Sequence, residues 1–125
     1  MKTTDAAINR IYDLLKAAGG LTVPVYKLTK PSREKPPVYV VINSLPVTSA
    51  VMQRCHVNVN VHATDPRPGF ADIDTLADLT TDVLTLLHQV DASGILIDFE
   101  SQEHIRDERL NEHYSNIRFI VKLVN

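Results

Sequence analysis

From Cys55 to Ala63 the chain alternates without a break: Cys55, Val57, Val59, Val61 and Ala63 fall on one side of an extended backbone, and His56, Asn58, Asn60 and His62 on the other. A run with this period is a β-strand with one face that packs and one that stays polar. It is the firmest structural statement in the sequence, and the neighbouring segments are read around it.

Ile8, Ile11, Tyr12, Leu15 and Ala18 have the spacing of one helix face. Thr4 or Asp5 can cap the start of that helix, and Gly19-Gly20 supplies the left-handed stop. Leu21 to Leu28 mixes β-branched residues with Pro24, which lacks a backbone donor, so it reads as a short edge strand. Thr29 to Pro37, with Lys30, Arg33, Lys35 and three prolines, reads as an exposed, basic, hinge-like loop. The compact apolar run Val38-Tyr39-Val40-Val41-Ile42 reads as a buried strand. After the break at Thr64-Asp65-Pro66-Arg67-Pro68-Gly69 a second helix is expected from near Phe70 to Asp72. Its buried stripe is Ile73, Leu76, Ala77, Thr80, Val83, Leu84 and Leu87, with Asp74, Asp78 and Asp82 roughly opposite. Asp91-Ala92-Ser93-Gly94 reads as a break, Ile95 to Gln102 as a strand and Glu103 to Glu112 as a charged loop. His113 to Val124 reads as a long, central strand. With strands joined by hairpin-length connections, the expected class is α+β: a mainly antiparallel sheet of four to five strands with two helices packed on one face. At 125 residues and 44% hydrophobic, residues 1–125 are expected to form one domain around one core.

The composition removes several chemistries. Thirteen Lys and Arg against fifteen Asp and Glu leave a net charge of -2, so no bulk positive field draws the chain to nucleic acid or anionic lipid. Neither a membrane partner nor sequence-specific nucleic-acid binding is expected. With Trp absent and aromatics at 6%, the core falls to aliphatic side chains. Cys55 is the single cysteine and cannot form an intramolecular disulfide or a multi-Cys zinc site, which suits an intracellular protein. The N-terminus lacks a basic region followed by an apolar run, so no targeting segment is read there.

The five histidines do not assemble a metal site. His56 and His62 share a strand face but stand six residues apart, roughly 20 Å at ~3.3 Å per residue. No two histidines have a two-ligand spacing on a strand or helix. Cys55 and His56 are strand neighbours that point to opposite faces, so His56 cannot serve as base to Cys55, which faces the core. No nucleophile elbow, Gly-rich phosphate loop or His-Glu-x-x-His motif occurs. Catalytic residues, cofactors and metals are therefore not expected. Asp74, Asp78 and Asp82 form a like-charge row, which costs an isolated helix about 0.2–0.5 kcal/mol per pair. Three readings stay open: a solvated face eased by the helix N-terminus near Asp72 and Asp74, a metal site needing further carboxylates, or a partner surface. Lys30, Arg33, Lys35, Arg106 and Arg109 could supply the complement to that surface.

From about Val25 to Asn125 the sequence resembles the phage tail completion proteins, relatives of the tail terminator proteins of long-tailed phages. The resemblance rests on a helix ending in Gly19-Gly20, on Val23-Pro24-Val25-Tyr26 with a Pro-rich loop into Pro37-Val38-Tyr39-Val40-Val41-Ile42, and on Val57-Asn58-Val59-Asn60-Val61-His62-Ala63. It continues through the helix Phe70 to Leu87, the strand Ile97-Asp98-Phe99-Glu100 and the Arg106-Asp107 loop before His113-Tyr114-Ser115-Asn116-Ile117-Arg118-Phe119. His62-Ala63 departs from the family pattern, which carries an aromatic near the end of that strand. The resemblance implies a small non-catalytic α+β subunit that forms a ring of six copies at the head-proximal end of a tail tube. Such a ring stops tube growth and docks the tail to the neck.

That implies other copies of itself, the tail tube protein and a head-tail connector or neck protein as partners. It also implies a life in the host cytoplasm during assembly and then in the virion tail. Charge assigns Asp74, Asp78 and Asp82 to one side of the subunit contact, and Arg33, Arg106 and Arg109 to the other side or to the tube. The alternatives are a head-tail joining protein of the same particle, or a small ligand-binding or enzymatic domain using the face of His56, Asn58, Asn60 and His62.

Overall fold

The structure, a computed structural model, describes residues 4–45, 52–92 and 94–124. Its elements are α1 (Thr4–Lys16), β1 (Val25–Lys27), β2 (Val38–Ser44), β3 (Met52–Thr64), α2 (Ile73–Leu87), β4 (Val90–Ala92), β5 (Ile95–Asp107) and β6 (Glu112–Val124). The six strands form one sheet in the order β1-β2-β3-β6-β5-β4, antiparallel except for the β1–β2 pair. The alternating strand is central. β3 pairs with β6 along its whole length and, over Val57–Ala63, with Ser44–Val38 of β2, so that half of the strand is paired on both edges.

Directly opposed residues share a face, so the register extends the alternation of β3 across the sheet. Cys55, Val57, Val59, Val61 and Ala63 lie with Val40, Ile42, Ile117, Phe119 and Val121 under the two helices. α1 contributes Ala7, Ile8, Ile11 and Leu15 to this core, and α2 contributes Leu76, Val83 and Leu87. Both helices thus cover one face of the sheet, and among the described residues the other carries no helix.

α1 ends where Gly19, at φ +80°, turns the chain. The N–H of Gly20 then returns to the Ala17 carbonyl and that of Leu21 to the Leu15 carbonyl. A Cβ on Gly20 would sit 2.2 Å from the Leu15 oxygen, so this stop requires glycine. Thr4 and Asp5 lie inside the first turn of the helix; the residue before them is outside the described residues. α2 is capped by Asp72, whose carboxylate accepts from the Thr75 N–H at 3.3 Å and the Thr75 hydroxyl at 2.9 Å.

The observed fold differs from the sequence reading in three places. The sheet has six strands, because Val90–Ala92 pairs with Ile95–Ile97 as a hairpin where a break was expected. Glu103 to Glu112 is not a loop: β5 runs to Asp107 and only residues 108–111 turn, with Asn111 at φ +52°. These polar residues are held extended by the ladder to β6, a force that composition does not display. The expected edge strand is β1, at the sheet edge, and its parallel pairing with β2 leaves the sheet mainly antiparallel, as expected. Finally, Ala18, Ile73 and Ala77, expected in helix cores, are exposed. α2 packs instead through Leu76, Val83 and Leu87, with Leu79, Thr80, Leu84 and Leu86 half-buried.

Candidate functional site

Among the described residues no helix covers the second sheet face, so its side chains can meet another molecule directly. Its centre is a polar ladder on β2, β3 and β6. Asn58 donates to the Asn43 oxygen at 2.9 Å, Asn116 donates to the Asn60 oxygen at 2.6 Å, and the Arg118 guanidinium donates to the Asn58 oxygen at 3.1 Å. Asn58 and Asn60 are buried, and these cross-strand bonds answer their amides from within the sheet.

Toward one end the ladder gives way to a ring stack. Tyr39, His62 and Tyr114 stand side by side on β2, β3 and β6, with centroid separations of 4.5 Å and 4.7 Å. Glu112 closes the group: its Oε1 accepts the Tyr39 hydroxyl at 2.6 Å and lies 3.1 Å from His62 Nδ1. Burial foremost, then the bond to Glu112, pushes the Tyr39 phenol well above its ordinary range, so it stays a donor. Burial pulls the His62 imidazole below its ordinary value, outweighing the opposing pull of Glu112 and Asp107, while Lys30 adds to the lowering. A neutral His62 facing a carboxylate through Nδ1 carries its proton there.

A cleft of about 700 Å³ opens above this stack. Lys30, Lys35 and Arg109 stand on its walls, and Leu28 and Leu110 at its mouth are 59% and 55% exposed. Leu28 is held at φ +71°, a region that bulky residues rarely occupy. The Lys30 ammonium lies 5.4 Å from the Tyr39 ring centroid.

The charged residues singled out from sequence are dispersed. Asp74, Asp78 and Asp82 are exposed along α2, on the opposite side of the sheet from the cleft, and among the described residues no ion pair involves them. Asp82 sits near the end of α1, beside Gly19 and Gly20. Arg33 is exposed in the Pro-rich loop. Arg106 belongs to β5 rather than a loop, 3.5 Å from Glu108, and Arg109 is on the β5–β6 turn, 3.9 Å from Asp107. Of the six, Arg109 alone lines the cleft.

His56 and His62 sit at opposite ends of the ladder, His56 at 3.0 Å from Glu100. His113 is on β6, 2.6 Å from the buried Asp65 carboxylate. Cys55 is buried and its thiol is pushed up by that burial. Ser115 lies on the helix face, bonded to Thr80 and Gln102. Among the described residues no group of three or more His, Cys, Asp or Glu could hold a metal ion, and no helix is long and apolar enough to cross a membrane.

No protein-family model matches this sequence, and no curated protein matches it. The same fold recurs in a virion. A solved chain from the virion of a native gene transfer agent particle superposes with a TM-score of 0.71, covering 92% of each chain at 18% identity. At that identity the likeness speaks for the fold, helices and sheet together, over nearly the whole length of both chains.

The sequence had pointed to the strand face of His56, Asn58, Asn60 and His62 but not to Glu112 or Tyr39, which lie 50 and 23 positions from His62 in the chain. The signal in hand was the polar side of β3: four polar side chains on the inner strand of a sheet need partners, and Glu100 for His56, Asn43, Asn116 and Arg118 for the two asparagines, and Glu112 for His62 are those partners.

The His62 environment has a measurable consequence. Above about pH 6.5, the ordinary histidine value, His62 is neutral in the folded and the unfolded chain and its stabilisation is complete. Below it the unfolded chain takes up a proton that folded His62 resists, so stability falls with pH. The thermal midpoint is expected to drop between about pH 7 and pH 5, and His62→Phe to remove part of that slope; an unchanged slope would contradict the assignment.

Proposed function

We propose that this chain is a non-catalytic structural protein of a phage-type virion, and within it a tail completion (terminator) subunit that rings the head-proximal end of the tail tube. The observation that carries the reading is the fold shared with a gene transfer agent virion chain over 92% of both lengths. The succession of motifs that resembles the tail completion family gives the finer role. The polar side chains of the helix-free face support it, since they are bonded among themselves rather than converging on a vacant reaction centre. On this reading its partners are copies of itself, the tail tube protein and a neck protein, and its place is the assembling particle and then the virion tail.

The test is the mass of the purified protein in solution, alone and with tail tube protein, together with electron micrographs of the mixture. A ring that caps tube ends is expected; a monomer that neither assembles nor halts tube growth would overturn the reading. Because exposed charges weaken with ionic strength, self-association should fall as salt rises. Reversing Asp78 and Asp82 to Lys is expected to weaken ring formation and leave the fold intact, since both are exposed on α2. Circular dichroism checks the fold, and an unchanged oligomer would remove those residues from the contact.

A further inference from the structure

We propose that copies of this chain join head to tail, with an exposed ridge at the start of α2 in one copy seated in the cleft of the next. This rests on the reading as a self-assembling subunit and names the surfaces that meet. Ile73 and Ala77 lie one turn apart on one side of α2, and Phe70 stands in the turn just before the helix with the Arg67 guanidinium 4.5 Å from its ring centroid; these three make up the strip. All three are exposed, Phe70 at 57% and Ile73 at 55%. Ile73 and Ala77 belong to the apolar periodicity that a buried stripe would show, yet among the described residues they stay exposed. Single exposed apolar residues are ordinary; a contiguous strip of them rimmed by charge marks an interaction surface.

The cleft complements the strip twice over. Leu28 and Leu110 offer apolar contact at its mouth, and Lys30, Lys35 and Arg109, set against Asp107 and the buried Glu112 in the same lining, leave a net positive charge where Asp74 and Asp78, beside the strip, carry negative. A self-complementary contact of strip against strip would set these carboxylates against their own copies, so charge favours the unlike pairing. The two surfaces lie on opposite faces of the sheet, and a contact between unlike surfaces propagates from copy to copy, as a ring requires. Leu28 fits the same account, because an exposed side chain held at φ +71° brings the folded monomer no packing to set against its backbone strain.

The test mixes an Ile73→Cys variant with a Leu110→Cys variant, one tagged, and treats them with a short bifunctional maleimide; the native Cys55 is buried. The expected product is the mixed dimer, and the double variant should give a series of higher species. Asp74→Lys with Asp78→Lys in the first copy should lower the mixed product by about tenfold or more. Lys35→Glu with Arg109→Glu in the second copy should restore it. All four positions are exposed, and circular dichroism confirms that each variant folds. Homodimers in place of the mixed dimer, no cross-linking, or a charge loss without restoration would overturn the proposal. Rings on tube ends without the Ile73–Leu110 cross-link would sink this contact and leave the tail reading standing. The mixed dimer without any effect on tube growth would do the reverse.

Discussion

Replacing Phe119 by alanine is expected to lower the unfolding free energy by about 3–5 kcal/mol, the range for emptying a fully buried aromatic site. Phe119 has no exposed surface and lies mid-sheet on β6, opposite Val57 on β3 and Phe99 on β5. Its ring meets that of Phe99 edge to face at 6.3 Å between centroids. Neighbours on two strands and helices above leave little freedom for the site to collapse, which places the loss toward the upper part of the range. Against a total stability of about 5–15 kcal/mol, the thermal midpoint should fall by roughly 10–20 °C. Phe99→Ala is the internal control: that ring is 39% exposed, and its loss should be less than half as large. Urea unfolding of the three proteins, with the denaturant slope checked for constancy, measures both values. A Phe119→Ala loss below about 1 kcal/mol would mean that the core is not closed at mid-sheet.

What could be read in advance follows from how locally each feature is encoded. β3 and β6 carry their own two-residue period, and α1 carries its apolar face and glycine stop, so these segments were legible alone. β4 has three residues and no room for a period, and the far half of β5 is polar on both faces because it lies beside a surface hairpin. Both are strands by virtue of their partners. The direction of β1 depends on where the chain returns after residues 28–37, which no local pattern records. In α2 the period matches and the face does so in part: Leu76, Val83 and Leu87 are buried as expected, whereas Leu79 and Leu86 rather than Ile73 and Ala77 flank them toward the sheet. The site was legible in half. The polar side of β3 stood out, but its partners are set by register with β2 and β6, over sequence separations of 50 and 73 positions in the Glu112 contacts.

Those contacts make Glu112 the second residue whose loss should be costly. Its side chain is 7% exposed, and one of its oxygens serves both the Tyr39 hydroxyl and His62, which ties β2, β3 and β6 together beneath the cleft. Glu112→Ala leaves the buried Tyr39 hydroxyl and the half-buried His62 N–H without an acceptor, at about 1–3 kcal/mol each, so a total loss of about 2–6 kcal/mol is expected. Glu112→Gln keeps an oxygen in place but gives up the charge that strengthens both bonds, and should lose about 1–2 kcal/mol. Packing alone could produce a loss of stability, so the Tyr39 phenol supplies the separate readout. Burial would still hold its pKa up in either variant, but the bond to Glu112 and the carboxylate charge would be gone, so phenolate absorbance should appear at lower pH than in the parent. Tyr39→Phe alone removes one donor and leaves Glu112 bonded to His62, and the double variant Tyr39→Phe/Glu112→Gln should then lose less than the sum of its parts. Additive losses with an unmoved Tyr39 titration would show that the three strands are held here by packing, and that the short Tyr39–Glu112 bond contributes nothing of its own.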